Sequence, residues 1–276
     1  MMYGLRGEIR GNKMAEYIGT NLQVSIQKRM RERHVWIEDT PEIANGGRTL
    51  NFLDPDKMGW NRVGDLTQED GVAVFMALPL EETRANLQER LGANWRTPHW
   101  DVFFGNAESV LETCNSIISS FVLPVGWRID SLDTPTERQI DDIQNLNIAV
   151  GIAPYPAYYC RGDVIPCVST CIWDDKCRLV ATAMANFRYH PNSRLKGHLY
   201  AGSVSVLPDC QGMGLGKMAN AALLVDSHRI MGWTTVLEQV KPDNVPSRRM
   251  IEACGLTKSQ ELATILVINS DDQFSA

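Results

Sequence analysis

Residues 204–217 constrain this chain most strongly, because they join a short strand pattern to a helix pattern through a glycine-rich turn. Glycines stand at every second position from Gly212 to Gly216, and a helical pattern follows over residues 218–230. Glycine accepts positive φ angles and lets another group approach the backbone closely. The first turn of a helix leaves N–H groups without intrahelical acceptors at the positive end of its dipole. The stretch therefore predicts an anion site, most naturally for phosphate or pyrophosphate.

Two better-known phosphate loops do not fit the spacing of this turn. The loop of nucleotide hydrolases places four residues between its glycines and then requires Gly-Lys-Ser/Thr, whereas Met218 follows Lys217 here. The dinucleotide fingerprint is G-x-G-x-x-G, whereas this turn is G-x-G-x-G.

The turn instead resembles the Q/R-x-x-G-x-G/A loop of the GNAT acyltransferase superfamily, with Gln211, Gly214 and Gly216 at the defining positions. The resemblance implies that the loop amides hold the pyrophosphate of acetyl-coenzyme A (acetyl-CoA). The loop residues that it assigns to this cofactor are Gln211, Gly212, Met213, Gly214, Leu215, Gly216 and Lys217.

A second block follows the loop at the family's spacing. An extended run over residues 234–240 precedes Asn244, Ser247 and Gly255. Asn244 is a suitable N-cap and Gly255 a suitable residue for a helix C-terminus. The resemblance, which covers roughly residues 125–268, implies that Asn244 and Ser247 face the cofactor. One departure is Ile251, because the family often has at this position a Tyr that protonates the leaving thiolate.

The pattern around these blocks predicts the fold. The expected strands and helices of the second half are residues 126–129, 135–146, 167–173, 178–187, 198–206, 218–230, 234–240 and 262–268. Their order resembles that of the family, so we expect an α/β fold with a mixed, mostly antiparallel sheet flanked by helices.

The first half of the chain is expected to be an additional α/β region over residues 1–124, followed by the acyltransferase domain over residues 125–276. Its expected helices and strands are residues 15–33, 71–78, 81–91, 99–104 and 107–121, and residues 38–65 are expected to be loop. No second Q-x-x-G-x-G occurs in it. We interpret the region either as a degenerate copy of the fold or as a lobe that covers substrate or forms a homodimer interface.

The resemblance also implies where the chemistry takes place. In the family, the strand before the loop splays from its neighbour, and its backbone binds the pantetheine arm and the thioester carbonyl. The corresponding strands here are residues 202–206 and 236–240, so Val204, Ser205 and Val206 are expected to contact the cofactor. A backbone N–H near Val204 or Ser205 is the expected oxyanion donor.

Three side chains are candidates for the proton transfers. Glu238 replaces an aliphatic residue of the family, and a carboxylate in a core position is costly unless it is used or paired. The alternative is that Glu238 faces solvent after a one-residue change of register. His198 is a second candidate base, although a lone strand histidine is more often structural, and Ser247 is a candidate proton donor.

Composition excludes some classes of function. The formal net charge is −6, from 27 Lys and Arg against 33 Asp and Glu, which argues against a nucleic-acid partner. No apolar run approaches the roughly twenty residues that span a bilayer, and the first residues lack a signal-peptide pattern, so a cytoplasmic protein is expected. Seven cysteines without a C-x-x-C pair are expected to be reduced thiols rather than metal ligands, with a zinc site as the alternative.

The leading hypothesis is an N-acetyltransferase that acts on a primary amine of a small molecule, such as an amino acid, a polyamine or an antibiotic. Alternatives are a longer acyl donor, a protein amine as acceptor, and a non-catalytic protein that binds coenzyme A and regulates a partner. The resemblance implies that residues 139–159 shape the acceptor pocket. Tyr155, Tyr158 and Tyr159 either line that pocket or pack against the first half.

Overall fold

The structure is a computed structural model, and it describes residues 16–269. The first residue of the helix expected over residues 15–33 and the N-terminal residues considered for a signal peptide lie outside the described residues.

Helices and strands are distributed over both halves of the described chain. The helices are α1 (Asn21–Glu32), α2 (His34–Glu38), α3 (Pro55–Met58), α4 (Trp60–Asp70), α5 (Leu80–Leu91), α6 (Ala107–Ser120), α7 (Glu137–Ala149), α8 (Ala157–Cys160), α9 (Leu215–Met231) and α10 (Val245–Ala253). The strands are β1 (Ile43–Asn45), β2 (Leu50–Phe52), β3 (Val72–Pro79), β4 (Trp95–Arg96), β5 (His99–Asn106), β6 (Arg128–Leu132), β7 (Cys167–Trp173), β8 (Leu179–Asn186), β9 (His198–Val206), β10 (Thr235–Val240) and β11 (Thr257–Asn269).

The strands of the described chain form one sheet in the order β1-β2-β3-β11-β5-β10-β9-β8-β7-β6, with β4 beside β11. Two pairs, β2 with β3 and β9 with β10, are parallel. The remaining pairs are antiparallel. The mixed, mostly antiparallel sheet with flanking helices is therefore confirmed.

The two halves of the chain share this sheet by exchanging strands. The strand β5, from the first half, lies between β10 and β11 of the second half, and Glu238 stands opposite Phe103. The end of β11 pairs in turn with β3, where Ile268 stands opposite Val72. Each half contains an antiparallel pair followed by a parallel pair, which are β1-β2-β3 in the first and β8-β9-β10 in the second. The division of the chain after residue 124 stays a prediction, and the sheet is continuous across it.

The helices of the second half lie on opposite faces of the sheet. Alternate residues of β7 show this, because successive strand side chains point to opposite faces. Val168 and Ile172 pack in a core with residues of α6 and α9. Cys167 belongs to a core with α8, and Cys171 to a core with α7. The sheet thus separates an α9 face from an α7–α8 face.

The expectation that residues 38–65 form a loop is wrong. This stretch contains β1, β2, α3 and the first turn and a half of α4. Both strands have only three residues, all of them buried, and so short a run is not enough to establish a strand period. The helix α4 starts after Gly59 without a side-chain cap, so the usual start signal is missing too.

Within residues 16–269, no helix combines the length and the apolar character that crossing a bilayer requires.

Candidate active site

The glycine-rich loop starts α9 as its sequence predicts. Gly212 and Gly214 have φ angles of 79° and 78°, in the left-handed region where a side chain is strained. Gly214 is the N-cap of α9, and the loop from Gln211 to Gly214 is exposed. The N–H groups of the first helical turn have no intrahelical acceptors, so they remain free to bind an anion.

Gly216 allows the start of α9 to lie directly against its neighbours. A Cβ atom at this position would stand 3.4 Å from Val206, 3.6 Å from Val204 and 3.7 Å from Met250. A larger side chain would push α9 away from β9 and from α10. The third glycine of the loop therefore brings the helix N-terminus close to the end of the strand.

The strands β9 and β10 part beside this helix start. They pair only over His198–Tyr200 and Thr235–Leu237. Beyond Tyr200, β9 continues beside β8 alone, and beyond Leu237, β10 continues beside β5 alone. A bulge in β9 accompanies the parting, where Ser203 has a φ angle of 51° and the register with β8 shifts. Bulges redirect side chains and end strand pairing, and here the bulge leaves polar backbone of both strands available.

A cavity of about 370 Å³ lies at this parting, between the first and second halves of the chain. Its wall combines residues of β9, β10 and α10 with residues of the β1–β2 connection. The lining residues are Gly46, Arg48, Thr49, Asn51, Val74, Met76, Trp100, Val150, Gly151, Ile152, Ala153, Tyr155, Arg188, Tyr200, Gly202, Ser203, Val204, Glu238, Gln239, Val240, Lys241, Asn244, Ser247, Met250, Ile251 and Leu266.

The cavity brings together part of the predicted site. Val204, Glu238, Asn244 and Ser247 line it, as does Ile251 at the position where the family often has a tyrosine. Asn244 is the N-cap of α10, and its Oδ1 accepts a hydrogen bond of 3.2 Å from the Ser247 N–H. This cap fixes the start of α10 at the end of β10.

Other predicted residues lie beside the cavity rather than in its wall. Ser205 is buried and donates a 2.6 Å hydrogen bond from Oγ to Asn147 Oδ1 of α7. Gln211 Nε2 donates at 3.5 Å to the Val206 carbonyl, which ties the loop to the end of β9. The predicted loop residues and Val206 are not part of the lining, and they surround the start of α9 next to it.

Glu238 is buried, with 1% of its surface exposed, and the solvent-facing alternative is therefore wrong. Its Oε1 accepts a 2.8 Å hydrogen bond from Nδ2 of Asn220, a residue of α9. Burial raises the pKa of Glu238 to about 7, and the hydrogen bond from Asn220 lowers it by less. Of the described residues that line the cavity, Glu238 is the one Asp, Glu or His.

His198 lies at the paired end of β9, outside the cavity lining. Its ring contacts the ring of Phe104 edge-on, with centroids 5.9 Å apart, and its Nδ1 lies 3.1 Å from the Lys196 carbonyl. Burial lowers the pKa of His198, which favours the neutral ring. The structure separates His198 from Glu238 and Ser247, and these contacts fit a structural histidine.

The sequence left open whether Tyr155, Tyr158 and Tyr159 line the pocket or pack against the first half, and the structure shows both arrangements. Tyr158 and Tyr159 donate hydrogen bonds to the carbonyls of Gln27 and Asn45, so they tie α8 to the first half. Tyr155 stacks on Tyr159 with ring centroids 4.9 Å apart and also lines the cavity.

Sequence reasoning missed the residues of the first half that reach the cavity. Arg48 and Asn51 lie within the stretch expected to be loop, and Arg188, a residue of the second half that was also missed, follows the end of β8. The role of these residues depends on contacts with residues far away in the sequence, and spacing between neighbouring residues does not predict such contacts.

Within residues 16–269, no group of three or more His, Cys, Asp or Glu side chains is arranged to hold a metal ion. The seven cysteines are free, and six of them are buried.

Residues 141–256, which include the loop, the parted strands and α10, match the model of the acetyltransferase (GNAT) family. This segment is a GNAT-family domain. No curated protein matches the chain.

Two solved structures are similar in fold to this chain over more residues than the family model matches. One is a Drosophila protein that is 13% identical, with a TM-score of 0.58 over 91% of this chain and 90% of that chain. The other is described as a tandem GNAT protein from the clavulanic acid biosynthesis pathway, 13% identical, with a TM-score of 0.52 over 80% of this chain and 75% of that chain. These likenesses concern the fold, and their coverage extends into the first half.

Proposed function

We propose that the protein is an N-acetyltransferase that transfers the acetyl group of acetyl-CoA directly to a primary amine of a small molecule. The observation that carries the proposal is the parting of β9 from β10 beside the glycine-rich start of α9 in a GNAT-family domain. A free strand backbone and a free helix N-terminus at one place suit a ligand with an amide-bearing arm and a pyrophosphate.

The residues present fit coenzyme A. The backbone N–H groups from Gly212 to Lys217 would hold the pyrophosphate, and Gly212 and Gly214 give the loop the left-handed backbone of its turn. Val204 and the neighbouring backbone of β9 would accept and donate hydrogen bonds along the arm, beside Asn244 and Ser247. When bound, acetyl-CoA would supply the thioester that the amine attacks.

The chain's own groups supply positioning, charge stabilisation and proton transfer. The cavity holds the amine near the parted strands, which converts a bimolecular encounter into an oriented one. A backbone N–H near Val204 would stabilise developing negative charge on the carbonyl oxygen.

Glu238 is the proposed proton acceptor, because it is the acidic side chain of the described cavity lining and its pKa of about 7 suits a base near neutral pH. Its hydrogen bond to Asn220 holds the carboxylate on the α9 face of the sheet. Ser247 and water are the proposed proton donors to the thiolate, since the hydrocarbon side chain of Ile251 has no acidic proton.

The proposal places the enzyme in the cytoplasm, where reducing conditions suit seven free cysteines. It includes no nucleic-acid partner, because acidic residues outnumber basic ones in the sequence. A homodimer remains compatible with it.

The test is a calorimetric titration with acetyl-CoA and with coenzyme A, followed by measurement of thiol release with a panel of amines. Binding together with amine-dependent thiol release supports the enzyme. Binding without thiol release from any amine favours the non-catalytic alternative, and release with longer acyl donors or protein amines favours the other two. Absence of binding would overturn the assignment of the loop.

A further inference from the structure

Arg188 is a buried arginine whose hydrogen-bonding capacity is only partly used. It follows β8, and 8% of its surface is exposed. Its Nη1 donates a 2.9 Å hydrogen bond to Asn51 Oδ1. Its Nε and Nη2 have no hydrogen-bond partner among the described residues. One edge of the guanidinium, with two N–H donors side by side, is therefore unpaired.

The charge of Arg188 is unpaired as well. No Asp or Glu of residues 16–269 forms an ion pair with it, and the aromatic ring nearest to its Cζ is that of Tyr200, whose centroid lies 3.6 Å away. An aromatic ring compensates a buried cation in part. Burying a charge without a counter-ion is nevertheless costly, so a site of this kind is suited to an anionic ligand.

The guanidinium belongs to the cavity at the parted strands. Asn51, which accepts its hydrogen bond, and Tyr200, whose ring is nearest to its Cζ, both line that cavity. Arg188 also borders a second cavity together with Tyr189, whose ring centroid lies farther away, at 5.9 Å from Cζ, and neither Asn51 nor Tyr200 lines that cavity. The closer contacts of Arg188 are therefore those with residues of the cavity at the parted strands.

A second arginine lies in the same wall. Arg48 donates from Nη1 to the Ala153 carbonyl, and its Cζ stands 4.1 Å from the ring centroid of Tyr155. No carboxylate of the described chain pairs with Arg48 either. The acidic residue of the lining, Glu238, is instead hydrogen-bonded to Asn220 on the α9 face of the sheet. This end of the cavity thus carries two positive charges without a protein counter-ion.

We propose that Arg188, supported by Arg48, binds a carboxylate of the acceptor, so that the acceptor is an α-amino acid or a similar amino-carboxylate. The inference rests on the proposed function. A guanidinium edge with two free N–H donors matches the two oxygens of a carboxylate in a bidentate pair. A polyamine carries only positive charge and would be repelled by the same wall.

The test compares amino acids with their primary amides as acceptors, since each pair keeps the amine and differs in the carboxylate. For the wild type we expect kcat/KM to be about 10- to 100-fold higher for the acid than for the amide, the value of a hydrogen bond to a charged group. In Arg188→Met this ratio falls toward one. The affinity for acetyl-CoA, measured by calorimetry, stays within about threefold, because the loop and α10 are untouched.

Two further variants serve as controls. Arg138→Met removes an exposed arginine of α7, whose side chain is 85% exposed, and should keep the wild-type ratio. Arg188→Lys keeps the charge but loses the two-donor edge, so it should recover part of the preference. If Arg188→Met does not fold, a measurement on the wild type still tests the carboxylate site. With coenzyme A present, the amino acid should raise the melting temperature of the wild type and its amide should not.

The outcomes separate this inference from the proposed function. If coenzyme A does not bind, the proposed function fails. If thiol release occurs with polyamines or amides as readily as with amino acids, the proposed function stands and the carboxylate site is overturned. The carboxylate bound by Arg188 could instead belong to the acyl donor, and thiol release measured with succinyl-CoA tests this alternative. Loss of activity with succinyl-CoA alone in Arg188→Met would overturn the assignment to the acceptor.

Discussion

Glu238 combines nearly complete burial with a titration range close to neutral pH. Its pKa lies at about 7 in the folded protein against an ordinary value of 4.5. Between these values the unfolded chain loses the proton while the folded protein keeps it, so stability falls as pH rises. Above about pH 7 both states are ionised and the penalty is constant, at about 3 kcal/mol.

We expect Glu238→Gln to remove this dependence. The loss in free energy of unfolding between pH 5 and pH 8 should be smaller in the variant than in the wild type by about 2–3 kcal/mol. Urea unfolding at both pH values measures it. The exposed Glu112→Gln on α6 is the matched control and should retain the wild-type loss. An unchanged loss in Glu238→Gln would contradict a raised pKa at this position.

The same substitution tests the proposed base. Glu238→Gln should lower kcat by about 100-fold or more and change the acetyl-CoA affinity little, since general bases contribute in this range. The wild-type rate should rise with pH up to about pH 7 and then level off if deprotonation of Glu238 limits it. A variant with wild-type turnover would leave Glu238 a structural partner of Asn220.

The helix α9 has a left-handed glycine at each end, which gives the loop an internal control. Gly214 has a φ angle of 78° at the N-terminus, and Gly232 has 64° at the C-terminus. A side chain strains the backbone at both positions. At Gly214 the added atom would also stand 3.2 Å from Phe121, whereas Gly232 has no atom within 4 Å.

We therefore expect Gly214→Val to weaken binding of coenzyme A at least tenfold and Gly232→Val to leave it near wild type. Both variants should lose about 1–2 kcal/mol of stability from backbone strain. Calorimetry and urea unfolding on the two proteins separate the effects. Equal affinities of the two variants for coenzyme A would contradict the assignment of the loop as the phosphate site.

At this scale the sequence predicted much of the fold. The bounds of β7 and β9 match the expected ones, because both strands are bordered by clear turn residues. Asn244 caps α10 as expected, because a cap is a local interaction. The strands β1 and β2 were missed because runs of three residues are too short to establish a period. Arg188 and Asn51 meet from positions far apart in the chain, and local patterns do not report such contacts.

The whole molecule depends on strand exchange between its halves. The strand β5 supplies the neighbour of both β10 and β11, and its Phe103 is fully buried in the core around α9. Residues 125–276 alone would expose one edge of β10 and lose that packing. The GNAT-family domain therefore requires the first half for its own core.

We expect residues 125–276 expressed alone to be insoluble or unfolded, because open strand edges associate with other chains. Coexpression with residues 1–124 should restore a soluble complex that elutes as one species. Size-exclusion chromatography and circular dichroism provide the measurement. A folded, monomeric fragment 125–276 would refute the dependence.

The insertion of β11 between β3 and β5 also sets the order of events during synthesis on the ribosome. The two partner strands of β11, β3 and β5, leave the ribosome long before β11 does. Val72 can therefore pair with Ile268 only when nearly the whole chain has been translated. Sheets closed by such distant contacts form slowly. Nascent chains halted before residue 257 would leave one edge of β3 and one edge of β5 without a partner strand, and open edges of this kind favour chaperone binding and aggregation.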